Sequence, residues 1–367
     1  MAKKIFIAAT MQNVGKTTFS LGLMACMQRI YKRIGFIKPI GQRYLMEQGY
    51  KVDEDSVLIE KVFSVCSHKD IKDLSPIAVE RGFTEKYIEG TSNANYSRDI
   101  LNAYNRVAKD KDLVIIEGTG HAGVGSVFDQ SNATVAKLLG AKVILIAPGG
   151  VGRPIDECML NKALFDSKGV KIAGVVVNKV LSEKFNKINK YVRAGFKKKS
   201  IPVLGVMPYQ RRLDIPTVRE IMEELEVPLI CGESNLDISV DKILIGAMEV
   251  KDALRYVVNN TLVITPGDRI DLLKALIKFQ KAYKKKYINK ISGMVLTGDM
   301  EQNNRIIKEL SSMNIPTVAI RTDTYTAASR INKIVVKVKP EDKDKIRVIV
   351  NMVEKYIDFD SIINNLT

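Results

Sequence analysis

A chain of 367 residues, 46% hydrophobic and 27% charged, has room for two domains and the balance of a soluble globular protein. No apolar run approaches the roughly 20 residues needed to span a bilayer, Ile5–Ala9 is too short for a signal-peptide core, and Cys26, Cys66, Cys158 and Cys231 form no C-x-x-C pair, so a reducing cytoplasm is expected rather than a membrane, a disulfide framework or a zinc site. The net charge of +16 is densest at Lys184–Lys199 and Lys278–Lys290, which read as helices with lysines on a solvated face; with few aromatic residues to stack bases, nucleic-acid binding is not expected.

In chain order, Ile5–Ala9 is an apolar strand that runs into a Gly-Lys-Thr turn, and a helix of about 17 residues is expected after it, with Phe19, Leu21, Leu23, Met24 and Met27 apolar. Further strands are predicted at Ile34–Ile40, Leu113–Glu117, Ala141–Ala147, Ile172–Val177 and Val203–Met207. Helical patterns at Arg98–Ala108, Asn132–Leu139 and Ile155–Ser167 separate several of them. Continuous Val/Ile/Leu strands alternating with helices indicate a parallel sheet covered on both faces, with ligands at the strand C-termini. The fold class expected is α/β: a P-loop NTPase-type parallel sheet over residues 1–212, followed by a second, smaller α/β domain over 213–367.

The second part opens with a connector at Leu213–Pro216 and a helix at about Thr217–Glu226. It then shows a weak repeat: Val263–Asp268 and Val295–Asp299 each read as a strand, a turn at Gly and an Asp placed to cap a helix. Thr317–Arg321 and Ile334–Val338 are further strand candidates, and a terminal helix at about Glu341–Ile357 is expected to pack on this second domain.

The strongest chemical signal is Ala9-Thr-Met-Gln-Asn-Val-Gly-Lys-Thr-Thr18. Backbone N–H groups from Gln12, Asn13 and Val14 through Thr17 can wrap a polyphosphate, and the following helix points its positive end at it. Gly15 permits close approach, Lys16 reaches the β and γ phosphates, the Thr17 hydroxyl ligates Mg²⁺, and Thr18 is placed to donate to the α phosphate. The pattern departs from G-x-x-x-x-G-K-[ST] at Thr10, where Gly is usual; its place between strand and helix supports the assignment.

Glu117 ends a strand of apolar residues and is a candidate second metal anchor; a capping carboxylate is the plainer reading. The loop after it carries Gly118, Gly120, Gly123 and Gly125, which would let it lie close to the phosphates. His121 within it would bond either a γ-phosphate or a backbone carbonyl, and His68 reads as a surface residue. Asp53 and Asp55 open a helical pattern, where acids are favoured without any metal. Lys38, at a strand C-terminus, would hold a substrate carboxylate or the transferring phosphate, or be solvated. Asn178 ends another strand with a donor and acceptor suited to adenine, or to a turn.

These residues resemble dethiobiotin synthetase, and still more the P-loop domain at the N-terminus of long bacterial phosphate acetyltransferases. The matching pieces are Val14–Thr17, Gly35–Ile40, Asp55, Glu117-Gly118, Asn178 and Pro202–Pro208, in order across about residues 3–210. The resemblance implies that Lys38 contacts substrate, that Thr17, Asp55 and Glu117 surround Mg²⁺, and that Asn178 reads adenine. Gly267–Arg269, Leu296–Gly298 and Asp323–Tyr325 resemble a DRTGG domain, which implies regulation and self-association. Where dethiobiotin synthetases carry Gly-Thr-Asp-Thr, this chain has Ala9–Gln12, and the second domain is foreign to them, so biotin synthesis is not expected. Nor is acetyl transfer to phosphate, since the chain stops before such a catalytic domain would begin.

Three functions compete. The favoured one is a regulatory or sensor protein that binds ATP with Mg²⁺ and self-associates through its second domain. The alternative is an ATP-dependent ligase with Lys16, Lys38 and Glu117 catalytic and a small carboxylate metabolite as substrate. A partitioning or nucleic-acid ATPase rests on charge alone.

Overall fold

The computed structural model describes all residues except 1, 67, 92–93, 285–289, 299–302 and 367. In chain order the strands are β1 (Lys3–Ala9), β2 (Ile34–Ile37), β3 (Ile40–Gly41), β4 (Tyr44–Glu47), β5 (Tyr50–Asp53), β6 (Ile77–Ala78), β7 (Leu113–Glu117), β8 (Lys142–Ala147), β9 (Ile172–Val180), β10 (Val203–Pro208), β11 (Leu229–Cys231), β12 (Lys242–Ile245), β13 (Thr261–Pro266), β14 (Ile291–Thr297) and β15 (Thr317–Ile320). The helices are α1 (Lys16–Met27), α2 (Glu54–Phe63), α3 (Phe83–Ile88), α4 (Tyr96–Ala108), α5 (Asn132–Leu139), α6 (Gly152–Ser167), α7 (Phe185–Lys197), α8 (Val218–Leu225), α9 (Val250–Arg255), α10 (Ile270–Lys284), α11 (Asn304–Ser312), α12 (Thr324–Asn332), α13 (Lys343–Tyr356) and α14 (Phe359–Leu366).

The chain forms two units: residues up to Gln210 together with those from Val338 onward, and Arg211–Lys337 between them. The first is built on a six-stranded parallel sheet of order β10-β9-β8-β1-β7-β2. Its strands are apolar at almost every position because both faces are covered. On one face Phe6, Ala8, Val114 and Ile116 meet Ile100 and Tyr104 of α4, Val135 of α5, Cys158 and Phe165 of α6, and Val192 and Phe196 of α7. The other face carries α1, α13 and α14.

That last pairing corrects the expected division at residue 213. The terminal helix packs not on the second domain but on the helix that follows the phosphate loop. Ile349, Met352 and Val353 are the buried residues of α13. A Cβ on Gly22 of α1 would lie 2.4 Å from Val353 Cγ2, so glycine is what lets the two helices close. Asp358 N–H bonds to Leu204 O at 2.8 Å, and Lys142 Nζ to Asn365 O at 2.7 Å, tying α14 to β10 and β8. Apolar periodicity reveals a face that must be buried but not which surface buries it.

Other differences are local. α1 stops at Met27, earlier than expected, and the chain turns at Gln28–Ile30. β2 stops at Ile37: the chain leaves the sheet at Lys38-Pro39, with Lys38 N–H on Leu74 O (2.8 Å), and β3 pairs with β6 instead. An antiparallel hairpin, β4 with β5, then leads into α2.

The second unit is a five-stranded sheet of order β11-β15-β14-β13-β12, parallel except for β11 at the edge. α9, α10 and α11 pack on one face and α8 and α12 on the other. Thr217 caps α8 in a capping box with Glu220, at the helix start expected there. Ile334–Val338 is not a strand but the irregular segment leading toward α13. The Asp299 cap lies outside the described residues; Asn303 caps α11, accepting from Arg305 and Ile306 N–H.

Candidate functional site

Because every strand of the first sheet runs parallel, its C-terminal ends share one edge. There β1 delivers the phosphate loop, and its neighbours β7 and β8 deliver Glu117 and the loop before α6. One strand further out, β2 delivers Lys38 and β9 delivers Asn178. Register sets the heights: Ile7 lies beside Glu117, and Ile37 beside Ile116, so Lys38 emerges level with Glu117.

The loop is shaped by two residues at positive φ, Asn13 (58°) and Gly15 (91°). A Cβ on Gly15 would sit 2.3 Å from Asn178 Nδ2, so glycine is required by contact as well as conformation. Asn178 is buried; its amide donates to Val14 O at 2.8 Å, and its Oδ1 accepts from Lys179 N–H at 2.8 Å. In this structure its side chain therefore pins the loop.

Thr10, in place of the usual glycine, is held from α6. Its Oγ1 donates to Glu157 Oε2 at 2.9 Å, and Arg153 Nε pairs with Glu157 Oε1 at 2.7 Å. One helical turn on, Asn161 Nδ2 donates to Thr10 O (3.2 Å), while its Oδ1 accepts from Ala122 N–H (2.7 Å). One helix thus braces both the phosphate loop and the loop after Glu117. Glu157 and Asn161 escaped sequence reading; their signal was four-residue spacing on a helix that starts beside the phosphate loop.

The Thr17 hydroxyl donates to Glu117 Oε1 at 3.0 Å. The other oxygen, Glu117 Oε2, is buried with no hydrogen-bond partner. Burial, and then the charge of Asp55, push the Glu117 carboxyl up to about 7, against the pull of Lys38 and Lys16. Burial lowers the Lys16 ammonium below its ordinary value, opposed first by Glu117. A hydroxyl and a buried, half-satisfied carboxylate beside a lysine and a run of amides suit a hard dication bridged to phosphate. Among the described residues no three His, Cys, Asp or Glu side chains could hold a metal by themselves.

Lys38 is not solvated. Its ammonium lies 2.8 Å from Asp53 Oδ1 and is also paired with Asp55 Oδ2. Burial disfavours its charge, but Asp55, Asp53 and Glu117 outweigh this and hold it above the ordinary lysine value. Asp53 also caps α2 by accepting from Asp55 N–H at 3.0 Å, so the plain helix-start reading applies to Asp53, and Asp55 is a partner of Lys38.

The glycines after Glu117 serve the loop's own packing. A Cβ on Gly118 would lie 2.6 Å from Asn132 Oδ1, and Asn132 holds the loop through Thr119 N–H (3.1 Å), Thr119 O (2.8 Å) and His121 O (2.7 Å). His121 is exposed, and its Nδ1 accepts from Gly123 N–H at 3.2 Å rather than bonding a carbonyl. The neutral ring then carries its proton on Nε2. The His68 side chain lies outside the described residues.

In the second unit, Arg269 donates to Gly246 O (3.1 Å) and Met248 O (3.3 Å) and pairs with Asp271 (3.0 Å). Asp323 caps α12 through Thr326 N–H (3.0 Å), and the Thr297 and Thr324 hydroxyls meet at 2.7 Å. These residues brace the strand ends.

A parallel sheet whose first strand turns through a Gly-Lys-Thr loop into a helix, with an acid ending the neighbouring strand, defines a P-loop NTPase-like domain. Residues 3–217 match the AAA domain family AAA_26, and residues 220–334 match the DRTGG domain. The first match covers more than half of the chain, and the protein belongs to this AAA domain family, with a DRTGG domain following. It is 27% identical over 369 residues to phosphate acetyltransferase of Nitratidesulfovibrio vulgaris, covering 98% of this chain and 51% of that one. The Pseudomonas aeruginosa enzyme is 26% identical, covering 97% and 51%, and the Escherichia coli enzyme 24%, covering 98% and 52%. The chain spans about half the length of these relatives, matching their N-terminal region. Among solved structures, MinD of Pyrococcus horikoshii complexed with Mg-ADP is 13% identical with a TM-score of 0.37, covering 58% of this chain and 84% of that one. The CBS and DRTGG domains of Clostridium perfringens pyrophosphatase, complexed with diadenosine tetraphosphate, are 18% identical with a TM-score of 0.27, covering 38% and 60%. At these scores neither carries any of the functional argument.

Proposed function

We propose that the first unit binds ATP with Mg²⁺ and that the chain works as a regulatory or sensing module related to phosphate acetyltransferases. The observation that carries this reading is the Thr17–Glu117 contact, with Glu117 Oε2 left buried and unpartnered beside Lys16. Backbone amides from Gln12 to Thr17 and the Lys16 ammonium would hold the polyphosphate, Thr18 the α phosphate, and His121 Nε2 the outer oxygens. Thr17 and Glu117 would hold Mg²⁺, which when bound neutralises charge on the β and γ oxygens. Asn178 would read adenine only through the amide hydrogen not given to Val14.

The ligase reading asks Lys38 to hold a carboxylate substrate, yet that ammonium is already paired with Asp53 and Asp55. What favours sensing over ligation is the DRTGG domain that follows the P-loop domain in the same chain. The DRTGG domain is the half we assign to self-association.

MgATP at a hundred times its dissociation constant should add about 2.7 kcal/mol of stability, a rise of roughly 5–10 °C in Tm for a unit of this size. Millimolar MgATP that leaves both Tm and oligomeric state unchanged overturns the proposal. A small carboxylic acid that accelerates ADP release many-fold would restore the ligase reading.

A further inference from the structure

Lys38 occupies the place of a cation. Its ammonium and the Asp53 and Asp55 carboxylates all belong to buried side chains, 9%, 1% and 10% exposed. Lys16 and Glu117 belong to the same charged group, so with both ammonium groups in place the cluster is close to neutral, and Glu117 Oε2 is its buried oxygen without a hydrogen bond. Without the Lys38 ammonium the same carboxylates would be in excess and would attract a divalent cation. The Lys38 ammonium stands among them, 2.8 Å from Asp53 Oδ1.

We infer that Lys38 is a built-in counter-ion that excludes Mg²⁺ from the Asp53–Asp55 pair until nucleotide arrives, so that metal enters this site only together with a polyphosphate. The inference rests on the MgATP reading of the loop. A dication approaching alone meets the repulsion of a fixed ammonium and finds only Glu117 Oε2 without a hydrogen bond, since the Thr17 hydroxyl is given to Glu117 Oε1. Removing the ammonium from two buried carboxylates is costly unless another cation takes its place. A triphosphate in the loop changes both sides of this balance. Its oxygens offer the metal new ligands, and they offer Lys38, level with Glu117 on the same sheet edge, another anion to pair with. Asp55 then becomes available to the metal. Free nucleotide and free metal thus each bind weakly, and the complex of the two binds well.

The test uses the full chain and Mn²⁺ as the probe, followed by its electron paramagnetic resonance signal. Without nucleotide, Lys38→Met should bind one Mn²⁺ at least roughly tenfold more tightly than the wild type, because a like charge a few ångströms away has gone. Asp55→Asn added to Lys38→Met should abolish that gain. A wild type that binds Mn²⁺ alone as tightly as Lys38→Met overturns the inference, as does a Lys38→Met protein with a normal circular dichroism spectrum and no new site. Should Lys38→Met fail to fold, the wild type decides: Mn²⁺ should bind at least roughly tenfold more tightly with ATP present than without, beyond the affinity of ATP itself for the ion, and equal affinity overturns the idea. Calorimetric binding of MgATP to the wild type reports separately on the nucleotide reading, so failure of that reading is distinguishable from failure of the counter-ion role.

Discussion

Replacing Glu117 with glutamine should make the protein more stable at neutral pH. The carboxyl is wholly buried and is raised from 4.5 to about 7. The folded state therefore holds this proton more tightly than the unfolded chain does. The contribution of the protonated group is full below about pH 4.5 and is lost as pH rises through 7. At about 1.4 kcal/mol per pH unit, the charged form costs roughly 3 kcal/mol at pH 8 and about 1 kcal/mol at pH 5. Glutamine keeps the shape and the Thr17 contact but never ionises. Amide hydrogen exchange of β1 and β7 measures the opening free energy of this unit alone. Glu117→Gln should raise it by about 3 kcal/mol at pH 8 and by about 1 kcal/mol or less at pH 5. Magnesium should no longer strengthen nucleotide binding. A stability change that is independent of pH, or a destabilised variant at pH 8, refutes the reasoning; the buried charge would then be compensated in some other way.

Gly15→Ala places a side chain at φ 91° and a Cβ 2.3 Å from Asn178 Nδ2; the loop must shift, and calorimetry should show MgATP affinity reduced at least roughly tenfold in a protein that still folds. Gly22→Ala drives a methyl against Val353 and should cost about 1–3 kcal/mol in urea unfolding, set against about 1 kcal/mol of helix propensity gained. Val353→Ala should recover much of that loss, with a coupling energy above about 0.5 kcal/mol, whereas additive effects would mean that α13 does not pack on α1.

Most of the first sheet was legible because a doubly covered parallel strand is a continuous apolar run, as at Leu113–Ile116 and Ile144–Ala147. The phosphate loop was legible because Gly15, Lys16 and Thr17 sit between such a strand and a helix. The partners were hidden. Lys38 carries no sign in its neighbours that residues 53 and 55 will close on it, because a hairpin and a turn of chain intervene. Thr10 looked like a defect in the loop; its compensation, from Glu157 and Asn161, lies far down the chain on α6. Asn178 lies within β9, which runs on to Val180 rather than ending there as expected, and its side chain is spent on the Val14 carbonyl, a contact made across the sheet edge. The destination of α13 was illegible for a related reason: one apolar stripe fits any uncovered sheet face, and only the assembled fold shows that β10 and α1 leave one open.

The central claim is that the loop from Gln12 to Thr17 cradles a polyphosphate with the Lys16 ammonium. Isothermal titration of ATP, with Mg²⁺, into the wild type and Lys16→Ala tests it most directly. The wild type should show one saturable site per chain, and the alanine variant an affinity lower by roughly 10–150-fold, the worth of a charge-assisted hydrogen bond of about 1.5–3 kcal/mol. Equal affinities in the two proteins, or no heat of binding in the wild type at millimolar MgATP, would contradict the account.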